Sequence, residues 1–227
     1  MLKPYAENTG TLEEFAQSSG KNVTSDNGKY IRFHWEVSRK TVGGTTEHWC
    51  LCALGGPSTK WSSNLIHVID WSLTARSFYR SNTSSRIIPE EYWGKSGVTW
   101  SKIGVDKPGF RYLSREEMYQ EVAILQDKEE DSYFVLGLLN SGVAAKYLEF
   151  LSPTINFQRE DIVSVPLPYI PFPQVEIAEI AKQSWEISLD HWNNNELSFE
   201  FTHEIKENLL VREWISQTFE QRNLIAK

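Results

Sequence analysis

Apolar residues between Phe134 and Leu151 recur at close to a 3.6-residue period, which predicts an amphipathic helix. Gly137 and Gly142 lie within this segment, and their lack of a side chain predicts a flat surface that another element approaches closely. Pro153 ends the helix because proline has no backbone N–H to continue it. A short apolar run from Ile162 to Val165 then predicts a buried strand. We expect this unit to be a scaffold on which the rest of the chain is arranged.

Four apolar segments in the first half of the chain predict strands, because β-branched and aromatic residues are concentrated there between turn residues. They are Tyr30 to Val37, His48 to Leu54, Leu65 to Trp71 and Phe110 to Leu113. Thr74 to Arg86 mixes arginines with aromatic residues and has no apolar period. Residues 116–131 are acidic, and this composition predicts a surface helix or a surface loop that connects two elements.

The two ends of the chain have helical patterns. Thr11 to Gln17 predicts a short helix, with Thr11 as its N-cap and Glu14 completing a capping box. After Pro173, six residues share one side of a predicted helix: Val175, Ile177, Ile180, Ala181, Ser184 and Trp185. A polar break at residues 193–195 separates this helix from a last one, roughly Phe201 to Phe219. The fold expected is therefore α+β: a twisted, mainly antiparallel sheet from residues 28–113, backed by the 134–151 helix and followed by a helical tail.

Composition narrows the class of protein. The 227 residues are 40% hydrophobic and 13% aromatic, which indicates a globular chain. No apolar run approaches the ~18 residues needed to span a bilayer, and the first ten residues do not resemble an export signal. Cys50 and Cys52 are one residue apart, which disfavours a mutual disulfide and suits the reducing cytoplasm. His48 is close to them, but no second ligand pair follows, so we interpret both cysteines as buried strand residues.

Charge is distributed unevenly along the chain. The formal net charge of −7 is unlike that of a typical nucleic-acid-binding module, which is basic. Residues 1–115, however, contain 15 lysines and arginines against 10 acidic residues, whereas residues 116–227 contain 8 against 20. This asymmetry predicts one face for an anionic partner and another that faces solvent or protein.

Three segments carry a resemblance to a known family. LLNSGVAAKYLEFLSPTINFQREDIVSVPLP at 138–168 resembles the closing part of the target-recognition region of PglX-type adenine-specific DNA methyltransferases of BREX phage defence, and more distantly that of single-chain type II restriction-modification enzymes. GKYIRF with WEV at 28–37 and YWGKSGVTWS at 92–101 are similar to two upstream segments of that family, in the same order. Ser152 stands where the family has Asn, and Arg159-Glu160 stand where a Gly is common.

The resemblance implies a specificity part without a catalytic part. Adenine methyltransferases hold the flipped base with an Asn/Asp-Pro-Pro-aromatic tetrapeptide, and this chain has no Pro-Pro dipeptide. Its glycine pairs lack the strand–GxG–helix context of a nucleotide-binding loop. We therefore expect no cofactor in this chain, with S-adenosylmethionine held by a separate catalytic domain. The implied organisation is a DNA target-recognition domain at 1–170 and a helical spacer at 171–227, with double-stranded DNA and the methyltransferase catalytic domain or subunit as partners and no membrane.

Cationic and aromatic residues are the candidate DNA contacts, since Arg and Lys neutralise phosphates and Arg also reads guanine. The best candidate patch is Arg76, Arg80 and Arg86, interleaved with Phe78 and Tyr79. A second patch comprises Lys95, Trp100, Lys102, Lys107 and Arg111. Further candidates are Lys29, Arg32, Gln158 and Arg159.

Other interpretations stay open on the sequence. The arginines also suit ordinary solvated side chains beside core aromatics, and the corner residues near Gln158 also suit bonds to the backbone. The acidic second half favours a chain that docks on the methyltransferase and never contacts DNA. The nine tryptophans allow a β-rich ligand-binding module, for instance for carbohydrate. No G-x-S-x-G elbow or carboxylate dyad indicates a hydrolase.

Overall fold

Two β-sheets and the helices around them make up the part of the chain that the structure, a computed structural model, describes: residues 10–17, 20–55, 59–101, 108–151, 157–167 and 173–201. The strands are β1 (Ile31–Phe33), β2 (Val42–Gly43), β3 (Trp49–Ala53), β4 (His67–Asp70), β5 (Ser96–Trp100), β6 (Phe110–Leu113), β7 (Met118–Tyr119) and β8 (Val122–Gln126). The α-helices are α1 (Asn27–Tyr30), α2 (Leu73–Ser81), α3 (Glu129–Asn140), α4 (Gly142–Leu151), α5 (Arg159–Val163) and α6 (Gln174–Asn193). The α+β class expected from the sequence is confirmed.

The first sheet has the strand order β1-β4-β3-β2, and β7 pairs with β3 beyond it. β4 runs antiparallel to both of its neighbours, with Ile69 opposite Ile31 and Cys50, whereas β2 and β7 run parallel to β3. The predicted strand at 30–37 is shorter than expected. Tyr30 ends α1, and a 3₁₀ turn from His34 to Glu36 follows β1 because the Glu36 carboxylate accepts the Phe33 backbone N–H at 2.7 Å.

The second sheet, with order β6-β5-β8, is antiparallel throughout and buried on both faces. Val98 and Ile124 pack into one hydrophobic cluster with α3. Leu113 and Leu125 pack into another cluster, which fills the space under the first sheet and α2. The prediction of one sheet from residues 28–113 is therefore wrong, because the strands form two sheets and both sheets include a strand after residue 113. Residues 118–126, taken from the sequence as an acidic surface segment, form β7 and β8 and supply core residues.

The predicted 134–151 helix is two helices, α3 and α4, bent by 67° at their junction. Ser141 lies in the extended region of backbone space, and its hydroxyl oxygen accepts the Ala144 N–H at 3.2 Å. Ser141 therefore ends α3, because its backbone is not helical, and its side chain caps the first turn of α4. No single helix in the described ranges is both long and apolar enough to cross a membrane; α3 and α4 reach that length and composition only as this bent pair.

Close helix packing is found at one of the two glycines that predicted it. A Cβ added at Gly137 would lie 2.9 Å from Ile177 Cγ2 and 3.1 Å from Ala181 Cβ, so α3 and α6 approach each other closely there. A Cβ at Gly142 would meet nothing within 4 Å. The α6 helix begins and ends where the sequence predicts, but Val175 and Ile180 are 81% and 63% exposed rather than packed.

Two further expectations are corrected. The predicted strand at 162–165 is the end of α5 and the turn after it, where Val165 accepts the Leu12 N–H at 3.0 Å. Near the N-terminus, Leu12–Phe15 forms a 3₁₀ turn, and the Thr11 side chain makes no capping bond. The last predicted helix, 201–219, lies beyond residue 201 and so outside the described residues. The division at 170 and 171 stays a prediction.

Candidate nucleic-acid interface

Helix α2 carries the strongest of the predicted cationic patches, although its sequence has no apolar period. Ser72 caps the helix by accepting the Ala75 N–H at 3.2 Å, which explains a helix that periodicity did not predict. Arg76 and Arg80 are one turn apart and lie on the same side. Their guanidinium carbons are 5.1 and 5.9 Å from the ring centroid of Trp93. One indole thus holds two arginine heads by cation–π contact.

The neighbouring cations extend this surface. Lys29 of α1 lies 5.8 Å from the Phe78 ring centroid on α2. Phe78 is two residues from both Arg76 and Arg80, so Lys29 lies by a different side of α2 from these arginines. Arg86 follows α2 with an exposed side chain, and its backbone pairs with Val23 at 2.7 and 2.8 Å. We use the name α1–α2 face for the predicted cations on and next to these two helices, Lys29, Arg76, Arg80 and Arg86, together with Trp93. Within this set, the structure brings Arg76 and Arg80 together over Trp93.

Arg32 is directed elsewhere. Its Nη1 donates to the carbonyl oxygens of Gly28 at 2.6 Å and Ile31 at 2.7 Å, which ties the guanidinium to its own backbone. A guanidinium held in this way has fewer N–H groups left for a phosphate. Arg32 is therefore a weaker candidate than the residues of the α1–α2 face.

Two members of the second predicted patch, Trp100 and Arg111, are not at the surface. Trp100 is fully buried, and its indole N–H donates to the Phe157 carbonyl at 3.1 Å. Arg111 is 3% exposed, donates to the Ser101 hydroxyl at 3.1 Å, and has its pKa lowered by burial. Both side chains lie in the doubly covered second sheet and are corrected from DNA contacts to interior residues. Lys102 and Lys107 lie outside the described residues.

Acidic side chains pair with several of the remaining candidates. Lys95 Nζ is 2.7 Å from Asp127 and 2.6 Å from the Gln17 side-chain oxygen. The pKa of the Asp127 carboxyl is lowered, first by its hydrogen bond from Lys95. On the α1–α2 face, Arg80 pairs with Glu90, which is itself exposed. Exposed ion pairs contribute little, so a phosphate can replace such a carboxylate at low cost.

The corner residues have structural roles. The Gln158 backbone N–H donates to the Asp161 carboxylate at 3.0 Å, which caps α5. Arg159 lies 3.4 Å from Glu13, and three-quarters of its side chain is covered. Arg159 is thus committed to a carboxylate distant in sequence, and within the described residues neither side chain shows the bond to backbone that was the alternative to a DNA contact.

An exposed aromatic group was missed by sequence reasoning. Phe33 stacks on Trp35 with centroids 4.7 Å apart and on His67 with centroids 4.8 Å apart. Phe33 and Trp35 are 38% and 50% exposed. The available signal was the position of His67 opposite Phe33, which follows only from the antiparallel register of β1 and β4. Partial burial lowers the pKa of His67, which favours its neutral form in this stack.

The cysteines are interior, as predicted. Cys50 and Cys52 are 0% and 1% exposed and form no disulfide with each other. Burial raises the pKa of Cys50 to about 12 and also raises that of Cys52. In the part of the chain that the structure covers, no group of three or more His, Cys, Asp or Glu side chains is arranged to hold a metal ion.

The chain with this fold is homologous to adenine-specific methyltransferases. It is 30% identical over 159 residues to the adenine-specific methyltransferase PglX of Lacticaseibacillus casei (strain Zhang), which covers 66% of this chain. It is 23% identical over 165 residues to the adenine-specific methyltransferase BrxX of Escherichia coli O9:H4 (strain HS), covering 71% of this chain. The aligned part spans 13% of the length of each relative. No protein-family model matches the chain.

This homology confirms the resemblance to PglX-type methyltransferases stated from the sequence motifs. The finer expectation, that the matching part is the target-recognition region, concerns one segment of proteins that are several times longer than this chain.

Proposed function

We propose that this chain is the DNA sequence-recognition module of an adenine-specific DNA methyltransferase of the BREX phage-defence or restriction-modification kind, and that catalysis belongs to a separate part of the enzyme. The chain reads a short duplex sequence, and its cations fix the register of the DNA. S-adenosylmethionine and the flipped adenine are held by the catalytic part.

The observation that carries the proposal is the pair Arg76 and Arg80 over Trp93, in a chain homologous to adenine-specific methyltransferases. Two guanidiniums one turn apart on a surface helix present planar, multiply donating heads to the same side. Stacking on Trp93 restricts their rotamers, which lowers the entropy lost on binding a phosphate or a guanine edge. Such pre-organisation suits direct readout in the major groove, which admits a helix.

The test is binding of fluorescent duplex DNA by wild-type chain and by the Arg76→Ala/Arg80→Ala double variant, measured by anisotropy across a salt series. We expect wild-type affinity to fall steeply with salt, and the double variant to lose at least tenfold affinity with a shallower salt dependence. The assay is repeated with the chain fused to the catalytic region of a relative, since much of the phosphate contact can come from that region.

Arg39→Ala is a matched control. Arg39 also combines an exposed ion pair, with Glu200 at 3.0 Å, and a cation–π contact, 4.5 Å from the Phe199 centroid. It does not belong to the α1–α2 face, so its loss should leave the affinity within twofold. Equal effects of Arg39→Ala and the double variant, or undetectable binding by the fused chain, would reject the proposal.

A second candidate function, docking on the methyltransferase without DNA contact, is supported by the outer side of α4. Val143 and Phe150 are 78% and 72% exposed, and Leu151 is 37% exposed. Their i, i+7, i+8 spacing places them on one helix face, a common arrangement for helix docking. Under this alternative, Phe150→Glu abolishes association with the catalytic region while the arginine variants associate normally.

The ligand-binding alternative has weaker support. Among the tryptophans that the structure describes, Trp35 has the greatest exposure, at 50%, whereas Trp71 and Trp100 are fully buried. A carbohydrate site lined by several exposed indoles is not present in these ranges.

A further inference from the structure

Arg76 and Arg80 lie over the same indole, but the structure leaves different parts of their guanidinium groups available to a partner. Arg76 is half-buried, and its Nε is enclosed, with no hydrogen-bond partner among the described residues. Arg80 is exposed, with 47% of its side chain accessible to solvent. The two arginines are therefore not equivalent as contacts for DNA.

The ring of Trp93 is fixed on the protein side. Its indole N–H donates to the Ile88 carbonyl oxygen at 3.0 Å. The ring also packs against the fully buried Trp71, with centroids 5.1 Å apart and an angle of 65° between the rings. A guanidinium that stacks on an anchored indole keeps fewer orientations than a solvated one, so its N–H groups are directed before a partner arrives.

The acceptor that pairs with Arg80 comes from the same turn as the indole. Glu90 begins a 3₁₀ turn, and the Trp93 backbone N–H donates to the Glu90 carbonyl oxygen at 3.0 Å. The Glu90 carboxylate accepts a hydrogen bond from Arg80 Nη2. Both side chains of this ion pair are exposed, so another acceptor can replace the carboxylate at low cost.

The chemistry of base edges favours guanine as that replacement. In the major groove guanine presents two acceptors, N7 and O6, and a guanidinium binds both at once. Adenine presents an amino donor beside its N7, and thymine presents one acceptor beside a methyl group. Breaking the pair between Arg80 and Glu90 is therefore compensated fully by guanine and incompletely by these bases.

We propose that Arg80 is the specificity-determining residue of the α1–α2 face and reads a guanine in the major groove, with Glu90 as the acceptor that the base replaces. Arg76 contacts the phosphate backbone through its terminal N–H groups, because the enclosed Nε removes the edge that joins Nε to Nη. The recognised sequence thus contains at least one guanine. This inference rests on the proposed function.

The experiment starts with selection of the preferred sequence from a random duplex library, using the chain alone and the fused chain. Each guanine of that duplex is then replaced in turn by 7-deazaguanine, which lacks the N7 acceptor, or by inosine, which keeps both N7 and O6. We expect 7-deazaguanine at one position to lower the affinity measured by anisotropy about fivefold or more. Inosine at that position should leave the affinity within about twofold, since it presents the same major-groove edge.

Arg80→Lys separates base reading from charge, because lysine keeps the positive charge but has no planar fork of donors. We expect this variant to bind the unmodified and the 7-deazaguanine duplex equally well, and to bind unrelated duplexes within about threefold of the wild-type affinity. Arg76→Ala should instead weaken binding to all duplexes by a similar factor and keep the 7-deazaguanine penalty, as a phosphate contact does.

Arg39→Lys is the matched control. It makes the same exchange at an exposed arginine that also combines an ion pair with a ring contact, but away from the α1–α2 face. It should change neither the affinity nor the 7-deazaguanine penalty.

The outcomes distinguish this inference from the proposed function. If Arg80→Lys keeps the full penalty, or if no guanine of the preferred duplex is sensitive, Arg80 does not read guanine, whereas loss of binding in the Arg76→Ala/Arg80→Ala variant still supports DNA recognition. If the penalty disappears in Arg76→Ala and persists in Arg80→Lys, the roles assigned to the two arginines are wrong. If neither the chain nor the fused chain binds any duplex, both proposals are rejected.

Discussion

The two patches that the sequence predicted as DNA contacts differ in how far their described members are exposed to solvent. Arg80 is exposed and Arg76 is half-buried, both with their guanidinium groups over Trp93, whereas Trp100 and Arg111 lie in the interior of the second sheet. Both patches are mixtures of cations and aromatics, so composition alone does not separate them. The difference lies in the elements that carry them.

Helix and strand expose their residues differently. On α2 the i, i+4 spacing places both arginines on one side, and the neighbouring side supplies the buried Ala75 and Tyr79. On β5 and β6 alternate residues point to opposite faces, and both faces of that sheet are covered. A cation on such a strand is buried whichever way it points. Cation-rich segments therefore indicate a binding surface only when one side of their element faces solvent.

The sharpest test of this comparison is Trp100→Ala against Trp35→Ala. We expect Trp100→Ala to reduce the free energy of unfolding by about 3–5 kcal/mol, because it empties a fully buried site and removes the bond to the Phe157 carbonyl. Trp35→Ala should change it by less than about 1 kcal/mol. Urea denaturation measures both. If Trp100→Ala were as stable as the wild-type chain and bound DNA more weakly, Trp100 would be a surface contact residue, and the contrast between the two patches would be wrong.

Helix packing behind the interior sheet is tested by Gly137→Val. The new side chain must displace Ile177 and Ala181, and we expect a loss of about 1–3 kcal/mol in the free energy of unfolding. Gly142→Val places the same side chain where a Cβ has open space and should cost far less. Equal losses in the two variants would contradict the close approach of α3 and α6.

A half-buried carboxyl group beside the core, that of Glu117, has a pKa that reports on its surroundings. Burial raises the pKa of Glu117 to about 7 from an ordinary value of 4.5. The folded state thus holds a proton that the unfolded chain releases, so stability is lost as pH rises from about 4.5 to 7. Glu117→Gln should remove about 1–3 kcal/mol of this pH dependence, since one unit of pKa difference corresponds to about 1.4 kcal/mol. Denaturation between pH 4.5 and 8 measures it. Glu91→Gln removes an exposed carboxyl group that is not among those acting on Glu117, and it is the control for the loss of one negative charge.

The smallest expected effect concerns the surface patch. Glu90 pairs with Arg80, so Glu90→Gln frees the guanidinium and removes a negative charge beside the DNA. We expect affinity for duplex DNA to rise about twofold to threefold at low salt, within the range for exposed ion pairs. Anisotropy measures the change. Glu200→Gln frees Arg39 in the same way away from the α1–α2 face, and an equal gain there would show a general charge effect.

Local signals predicted a good part of the fold. The apolar runs at β3 and β6 and the helix after Pro173 are where the sequence places them, because each is long enough or alternates clearly enough to stand out. The patch at Arg76 and Arg80 was also visible as residue types. Two other local signals, the caps at Ser72 and Ser141, were present in the sequence but were not recognised.

Other features depend on contacts between distant segments. The stack of Phe33 on His67 follows from strand register, and one surface pocket joins residues 21–27 to Gln120. Burial of Met118 and Tyr119 requires the parallel pairing of β7 with β3, which an acidic flanking sequence conceals. Hydrophobic periodicity depends only on residues that are close in sequence, so it cannot predict pairings between distant segments.

The sequence by itself determined the α+β class, the buried cysteines, the homology to adenine-specific methyltransferases and the presence of arginines among aromatics. Only the tertiary structure decided which of those arginines face solvent, since exposure depends on what covers the other side of each element. A side chain on a helix with one free face stays available to a partner, and the same side chain between two covered layers becomes part of the core.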